Sequence, residues 1–203
     1  MLFRSSAVSF GHLNPKIKKA LLDQLDRTDV QARAFRHDRL GEFAEMLCKL
    51  TGLDQMIPMN TGAEAVEAGI KTARRWGHMV KGIPDGKQRI IVCKDNFHGR
   101  TTTIISFSSD ADYRKGFGPF DGGFDLIPFG DIAALEKAIT PNTCAFIVEP
   151  IQGEGGIHVP PKGYLKQVQD ICKKNNVLLL LDEVQTGMGR TRSEEHTSEL
   201  QSH

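Results

Sequence analysis

The stretch Val177-Leu178-Leu179-Leu180-Leu181-Asp182-Glu183-Val184-Gln185-Thr186-Gly187 constrains the fold more than any other part of the chain. A continuous apolar run bounded by polar residues reads as a strand buried on both faces, the pattern of a parallel sheet covered by helices. The strand ends in an acid. In open α/β sheets ligands sit beyond the carboxyl ends of the strands, which is where Asp182 and Gln185 would project. A carboxylate at a buried strand tip is costly unless a cation or hydrogen-bond donors meet it. The remaining sequence therefore has to supply a partner for Asp182.

Helical and strand patterns alternate along the chain. Asn14-Pro15 reads as an N-cap with proline in the first turn, opening an amphipathic helix to about Leu25. A second helix is expected over 39–50, closed by Thr51-Gly52. Residues 54–59 read as a short apolar strand that leads into Asn60-Thr61-Gly62-Ala63-Glu64-Ala65, and helical spacing continues to about Trp76. A strand, a tight turn and a helix start can bind phosphate, because glycine admits the anion and the first-turn N–H groups point at it. Thr61 and Glu64 also satisfy an ordinary capping box, so both readings stand at this point.

Further strands are expected over 89–93, 101–107, 125–129 and 145–148, with helices over 131–138 and 163–174. The first of these strands ends in Asn96-Phe97-His98-Gly99-Arg100. Phe97 could stack on a flat ligand and Arg100 could take a carboxylate as a bidentate pair. A core phenylalanine, a solvated arginine and a satisfied loop histidine are the alternatives. The glycine-rich loop 108–124 is long for a compact domain, and such loops are usually functional or mobile. The strand at 145–148 also ends in an acid, in Glu149-Pro150-Ile151-Gln152-Gly153-Glu154-Gly155-Gly156. Strands alternating with helices give an α/β fold with a mostly parallel sheet.

Composition excludes several classes of function. The 203 residues are 39% hydrophobic, and 26 basic residues balance 25 acidic ones. No basic stripe points to nucleic acid and no long apolar run to a membrane span. Cys48, Cys93, Cys144 and Cys172 are scattered, without a CxxC pair or a Cys/His cluster at metal spacing. Reduced thiols in a cytoplasmic protein are expected.

Taken in order, NTGAEA, NFHGR, EPIQGEGG and LLLLDEVQTGMGRT resemble the class III pyridoxal-phosphate-dependent aminotransferases from about Ser6 to Thr191. AVSFGHLNPKI and GFGPF bring the likeness nearest to the ornithine-type branch. The resemblance implies a fold-type I large domain, incomplete here, with pyridoxal 5'-phosphate as cofactor. It implies that Thr61, Gly62 and Ala63 hold the cofactor phosphate and that Phe97 stacks on its ring. Asp182 would meet the ring nitrogen and Gln185 the 3-oxygen. Arg100 and Glu154 would serve the substrate, Arg100 by binding a carboxylate and Glu154 by controlling its access through a distant arginine. A structural role is weighed equally for Glu149. His98 departs from the bulky aromatic found in some ornithine-type members. The implied partners are a small amino donor, 2-oxoglutarate and a second identical subunit. Acetylornithine- or 4-aminobutyrate-type substrates, or a cofactor-binding chain without turnover, are the alternatives.

The family's Schiff-base lysine is expected beyond Thr191, and no lysine follows Lys174. Residues 192–202 read as a translated DNA-sequencing adapter, and residues 1–5 as the end of its reverse complement. Residues 6–191 are therefore expected to be an internal fragment, comprising a partial cofactor-binding domain with part of the segment that precedes it.

Overall fold

A computed structural model describes residues 10–28, 30–31 and 34–191; the adapter-like residues 1–5 and 192–202 lie outside them. The chain divides into two units, residues 1–57 and 58–203.

The first unit carries α1 (Pro15–Leu25) and α2 (Leu40–Thr51). The Asn14 side chain accepts from the Lys16 N–H at 3.1 Å, as an N-cap should. Gly52 ends α2 at φ 67°, a left-handed C-cap that glycine adopts without a Cβ penalty. Neither helix has a buried residue.

The second unit opens with α3 (Gly62–Met79) and continues through β1 (Arg89–Cys93), α4 (Thr102–Ile105), α5 (Ala111–Arg114), β2 (Phe124–Ile127), α6 (Ile132–Ala138), β3 (Thr143–Val148), α7 (Tyr164–Lys174) and β4 (Leu178–Leu181). The strands form one parallel sheet in the order β2-β1-β3-β4. Register follows the apolar positions: Ile91 opposes Phe146, Phe146 opposes Leu179, and Val148 opposes Leu181. Because strand residues alternate between faces, Ile90, Val92, Ala145, Ile147, Leu178 and Leu180 pack with α3 and α4. Ile91, Cys93, Phe146, Val148, Leu179 and Leu181 pack with α6 and α7 on the other face. This is the expected parallel sheet with helices on both sides.

Three expectations change. Residues 101–107 form the helical turn α4 rather than a strand: Thr101 accepts from the Ile104 N–H at 3.3 Å, and Ile104, Ile105 and Phe107 are buried. Packing of these side chains overrides the β-propensity of the threonines and isoleucines. Residues 54–59 are irregular, with no ladder partner among the described residues, and Ile57 is exposed. The run at Leu178–Leu181 is a strand but only half-buried, because it lies at the edge of this sheet.

Candidate active site

The parallel sheet turns the carboxyl ends of β1, β3 and β4 to one side, and the N-terminus of α3 meets them there. Four close approaches bring the segments together, each possible only because one partner is glycine. A Cβ on Gly62 would lie 2.9 Å from Val184 Cγ1, and one on Gly99 would lie 2.8 Å from the Ala63 Cβ. A Cβ on Gly153 would collide with the Gln185 Oε1, and one on Gly155 with the Asp95 carbonyl oxygen. The glycines of NTGAEA, NFHGR and EPIQGEGG are thus contact points between segments far apart in sequence.

Between these segments lies a cleft of about 210 Å³, lined in part by Gly62, Ala63, Phe97, His98, Glu149, Asp182 and Gln185. Thr61 borders it as the N-cap of α3, accepting from the Glu64 N–H at 3.2 Å, while the Glu64 carboxylate accepts from the Asn60 N–H at 2.7 Å. The Ala65 N–H bonds to the Thr61 carbonyl. That leaves the Gly62 and Ala63 N–H groups without a partner among the described residues. The capping box therefore leaves these two N–H groups of the first turn unused.

Asp182 has its partner. His98 Nδ1 stands 2.6 Å from Asp182 Oδ2, with the histidine side chain fully buried and the aspartate side chain 6% exposed. Asp182 Oδ1 accepts from the Val184 N–H at 3.1 Å. With its hydrogen on Nδ1, His98 donates to the Asp182 carboxylate, which retains lone pairs for a further donor. His98 Nε2 is buried and has no hydrogen-bond partner among the described residues. The loop histidine of the sequence reading is thus bonded through Nδ1 to Asp182 inside the cleft.

Glu149, at the tip of β3, is 5% exposed and accepts from the Phe97 N–H at 3.2 Å. Burial pushes its carboxyl up to about 7, opposed by His98 and the Phe97 N–H and reinforced by the Asp182 charge. Sequence alone weighed Glu149 equally between structural and catalytic roles; it both lines the cleft and holds the Phe97 backbone. The loop is fixed further by Asn96 Nδ2, which donates to the Cys93 carbonyl at 2.6 Å, and by Gln152 Nε2, which donates to the Lys94 carbonyl at 2.7 Å.

Phe97 and Gln185 line the cleft; Arg100 does not, but its guanidinium lies 5.8 Å from the Phe97 ring centre. Glu154 is half-buried in the turn after β3 and is not among the cleft-lining residues. The sequence reading did not single out Tyr113, on α5, whose ring stands 6.2 Å from that of Phe97. A tyrosine in a glycine-rich loop gave no periodic signal. Among the described residues no helix is long and apolar enough to cross a membrane.

The Aminotransferase class-III family profile matches residues 2–193. The chain belongs to the class-III aminotransferases. It is 58% identical over 191 residues to the ornithine aminotransferase of Brevibacillus brevis, a match covering 94% of this chain and 48% of that protein. The crystal structure of the Toxoplasma gondii ornithine aminotransferase, described with partial occupancy of PLP at its active site, superposes with a TM-score of 0.91 at 44% identity. It covers 95% of this chain and 46% of that one. The acetylornithine aminotransferase of Elizabethkingia anophelis superposes with a TM-score of 0.78 at 51% identity, over 93% of this chain and 46% of that one. The chain spans about half the length of these relatives. Its parallel sheet with helices on both faces is the corresponding part of their large-domain fold.

Proposed function

We propose that this class-III chain is the cofactor-binding part of an ornithine-type aminotransferase that uses pyridoxal 5'-phosphate. The observation that carries the reading is the His98–Asp182 pair, buried in the same cleft as the open N-terminus of α3. When bound, the cofactor supplies an electron sink for the amino substrate. Every other role belongs to residues of the chain. Gly62 and Ala63 offer two N–H groups to the phosphate at the positive end of α3, with Thr61 alongside. Phe97 offers a ring face, and Gln185 an amide for the 3-oxygen. Asp182 would accept a hydrogen bond from the protonated ring nitrogen, and His98 Nδ1 holds the same carboxylate.

Arg100 takes a substrate carboxylate, and Glu154 takes the part inferred for it in substrate selection. The whole protein moves the terminal amine of ornithine to 2-oxoglutarate, leaving glutamate semialdehyde and glutamate. It does so as a cytoplasmic homodimer. The 51% identity to an acetylornithine enzyme favours N-acetylornithine as the second reading. Activity of the complete gene product on a panel of ω-amines with 2-oxoglutarate separates the two; preference for any amine other than ornithine refutes the first.

Residues 6–191 are the native segment in this reading, with residues 1–5 and 192–203 adapter-derived. The native codons after Thr191 decide the point. Binding of pyridoxal phosphate by the chain itself tests the cofactor reading. Quenching of Trp76, the one tryptophan in the sequence, measures the affinity for pyridoxal phosphate. Asp182→Ala is expected to weaken it about tenfold or more, the scale of a lost charge-assisted hydrogen bond. Equal affinity in the two proteins refutes the assignment of Asp182.

A further inference from the structure

The glycine-rich loop between α4 and β2 carries a short helix, α5, whose one aromatic residue faces the site. Tyr113 is half-buried, and its ring centre lies 4.8 Å from the Arg100 guanidinium. Arg100 Nη2 donates to the Tyr113 hydroxyl at 3.4 Å. The rings of Phe97 and Tyr113 meet edge to face at 65°, and Phe97 also lies within cation–π range of Arg100. Among the described residues no acidic side chain is within ion-pair distance of Arg100.

We propose that Tyr113 is a positioning residue that sets the plane of the Arg100 guanidinium for a substrate carboxylate and ties it to the Phe97 ring. The inference rests on the reading of Arg100 as the carboxylate binder. Its physical basis is the division of a guanidinium into faces and edges. Aromatic rings engage the faces, whereas a carboxylate needs two parallel N–H groups on one edge. Contact with the Tyr113 and Phe97 rings, whose centres lie 4.8 and 5.8 Å from the guanidinium carbon, therefore restrains its orientation, and only one N–H is committed, to the Tyr113 hydroxyl. An acidic partner would fix orientation as well, but would compete with the substrate for the same edge.

The loop is built to hold Tyr113 there. Asp110 caps α5 by accepting from the Asp112 N–H at 2.8 Å. Ser109 Oγ accepts from the Asp95 N–H at 2.7 Å and lies 3.1 Å from Asp95 Oδ1. Ser108 Oγ accepts from the Asp110 N–H at 3.1 Å. The segment before α5 is thereby pinned to the segment leaving β1, the same segment that carries Phe97 and Arg100. Cofactor face and carboxylate site thus share one rigid support.

The test is binding of 2-oxoglutarate to the cofactor-loaded chain by calorimetry, with a double-mutant cycle. Arg100→Ala is expected to weaken binding roughly 30-fold or more, through the lost bidentate pair. Tyr113→Leu, which keeps an apolar side chain but removes the π face, is expected to weaken it about 3- to 10-fold. Tyr113→Phe keeps the ring and should restore affinity to within about 2-fold. Tyr113→Leu added to Arg100→Ala should cost nothing more, because Tyr113 acts through Arg100.

A normal affinity in Tyr113→Leu, or an equal loss with and without Arg100, overturns the proposal while leaving the role of Arg100 intact. Full affinity in Arg100→Ala overturns the reading of Arg100 itself. A second measurement is independent of the ligand: phenylglyoxal should label Arg100 several-fold faster in Tyr113→Leu. An unchanged labelling rate overturns the proposal.

Discussion

Glu149 shows how one residue ties site chemistry to stability. Its carboxyl, pushed up to about 7 by burial against an ordinary 4.5, keeps its proton in the folded chain over a range where the unfolded chain has lost it. The contribution of Glu149 to stability is thus complete below about pH 4.5 and is lost as pH rises to about 7. Linkage gives a loss on the order of 3 kcal/mol across that window. Glu149→Gln retains an acceptor for the Phe97 N–H and removes the buried charge. Urea unfolding at pH 5 and pH 8 should show the native chain weaker at pH 8 and the variant nearly flat; parallel slopes in the two would refute this. His98→Leu should cost about 1–3 kcal/mol, because it leaves Asp182 Oδ2 without its donor. The need of Asp182 for a partner is legible in the sequence, since a charged group follows a buried strand. The identity of that partner is not, because 84 residues separate the pair and no periodicity links them.

At the scale of elements, the glycines separate two kinds of cost. Gly82 has φ +79° and open space where a Cβ would go; Gly99 has φ +120° and the Ala63 Cβ 2.8 Å away. Gly82→Ala should cost about 1 kcal/mol of backbone strain and leave cofactor affinity unchanged. Gly99→Ala adds a collision with the first turn of α3, for roughly 2–5 kcal/mol in all, and should weaken pyridoxal phosphate binding. Thermal midpoints and Trp76 quenching measured on both variants decide between these outcomes; equal effects would mean that the approach of the segment after β1 to α3 is unimportant. Caps and apolar runs made α1, α2, α3, α6, α7 and most strands readable in advance, because those signals are local. The segments at 101–107 and 54–59 were misread because their fate depends on neighbours: buried contacts turn the first into a helix, and the second finds no ladder partner among the described residues.

Across the whole molecule, the two units differ in what holds them. The sheet of the second unit has buried clusters on both faces, and every residue of Thr143–Val148 is buried. In the first unit α1 and α2 bury nothing, and Ile17, Leu21 and Leu25 on one helix and Phe43, Met46 and Leu50 on the other are exposed. Helices of 11 and 12 residues are marginal in water without tertiary packing. Amide exchange should therefore be fast throughout Pro15–Leu25 and Leu40–Thr51 and slow in Arg89–Cys93 and Thr143–Val148. The difference should span roughly two or more decades in protection, since opening free energies run from near zero to the global value. Mass-spectrometric exchange of the intact chain measures it peptide by peptide. The exposed apolar stripes also invite association, so the exchange should be followed over a dilution series. Protection of α1 and α2 that rises with concentration would show that their apolar faces are covered by other copies of the chain. Protection equal to that of β3 at every concentration would refute the claim that the first unit lacks a core of its own.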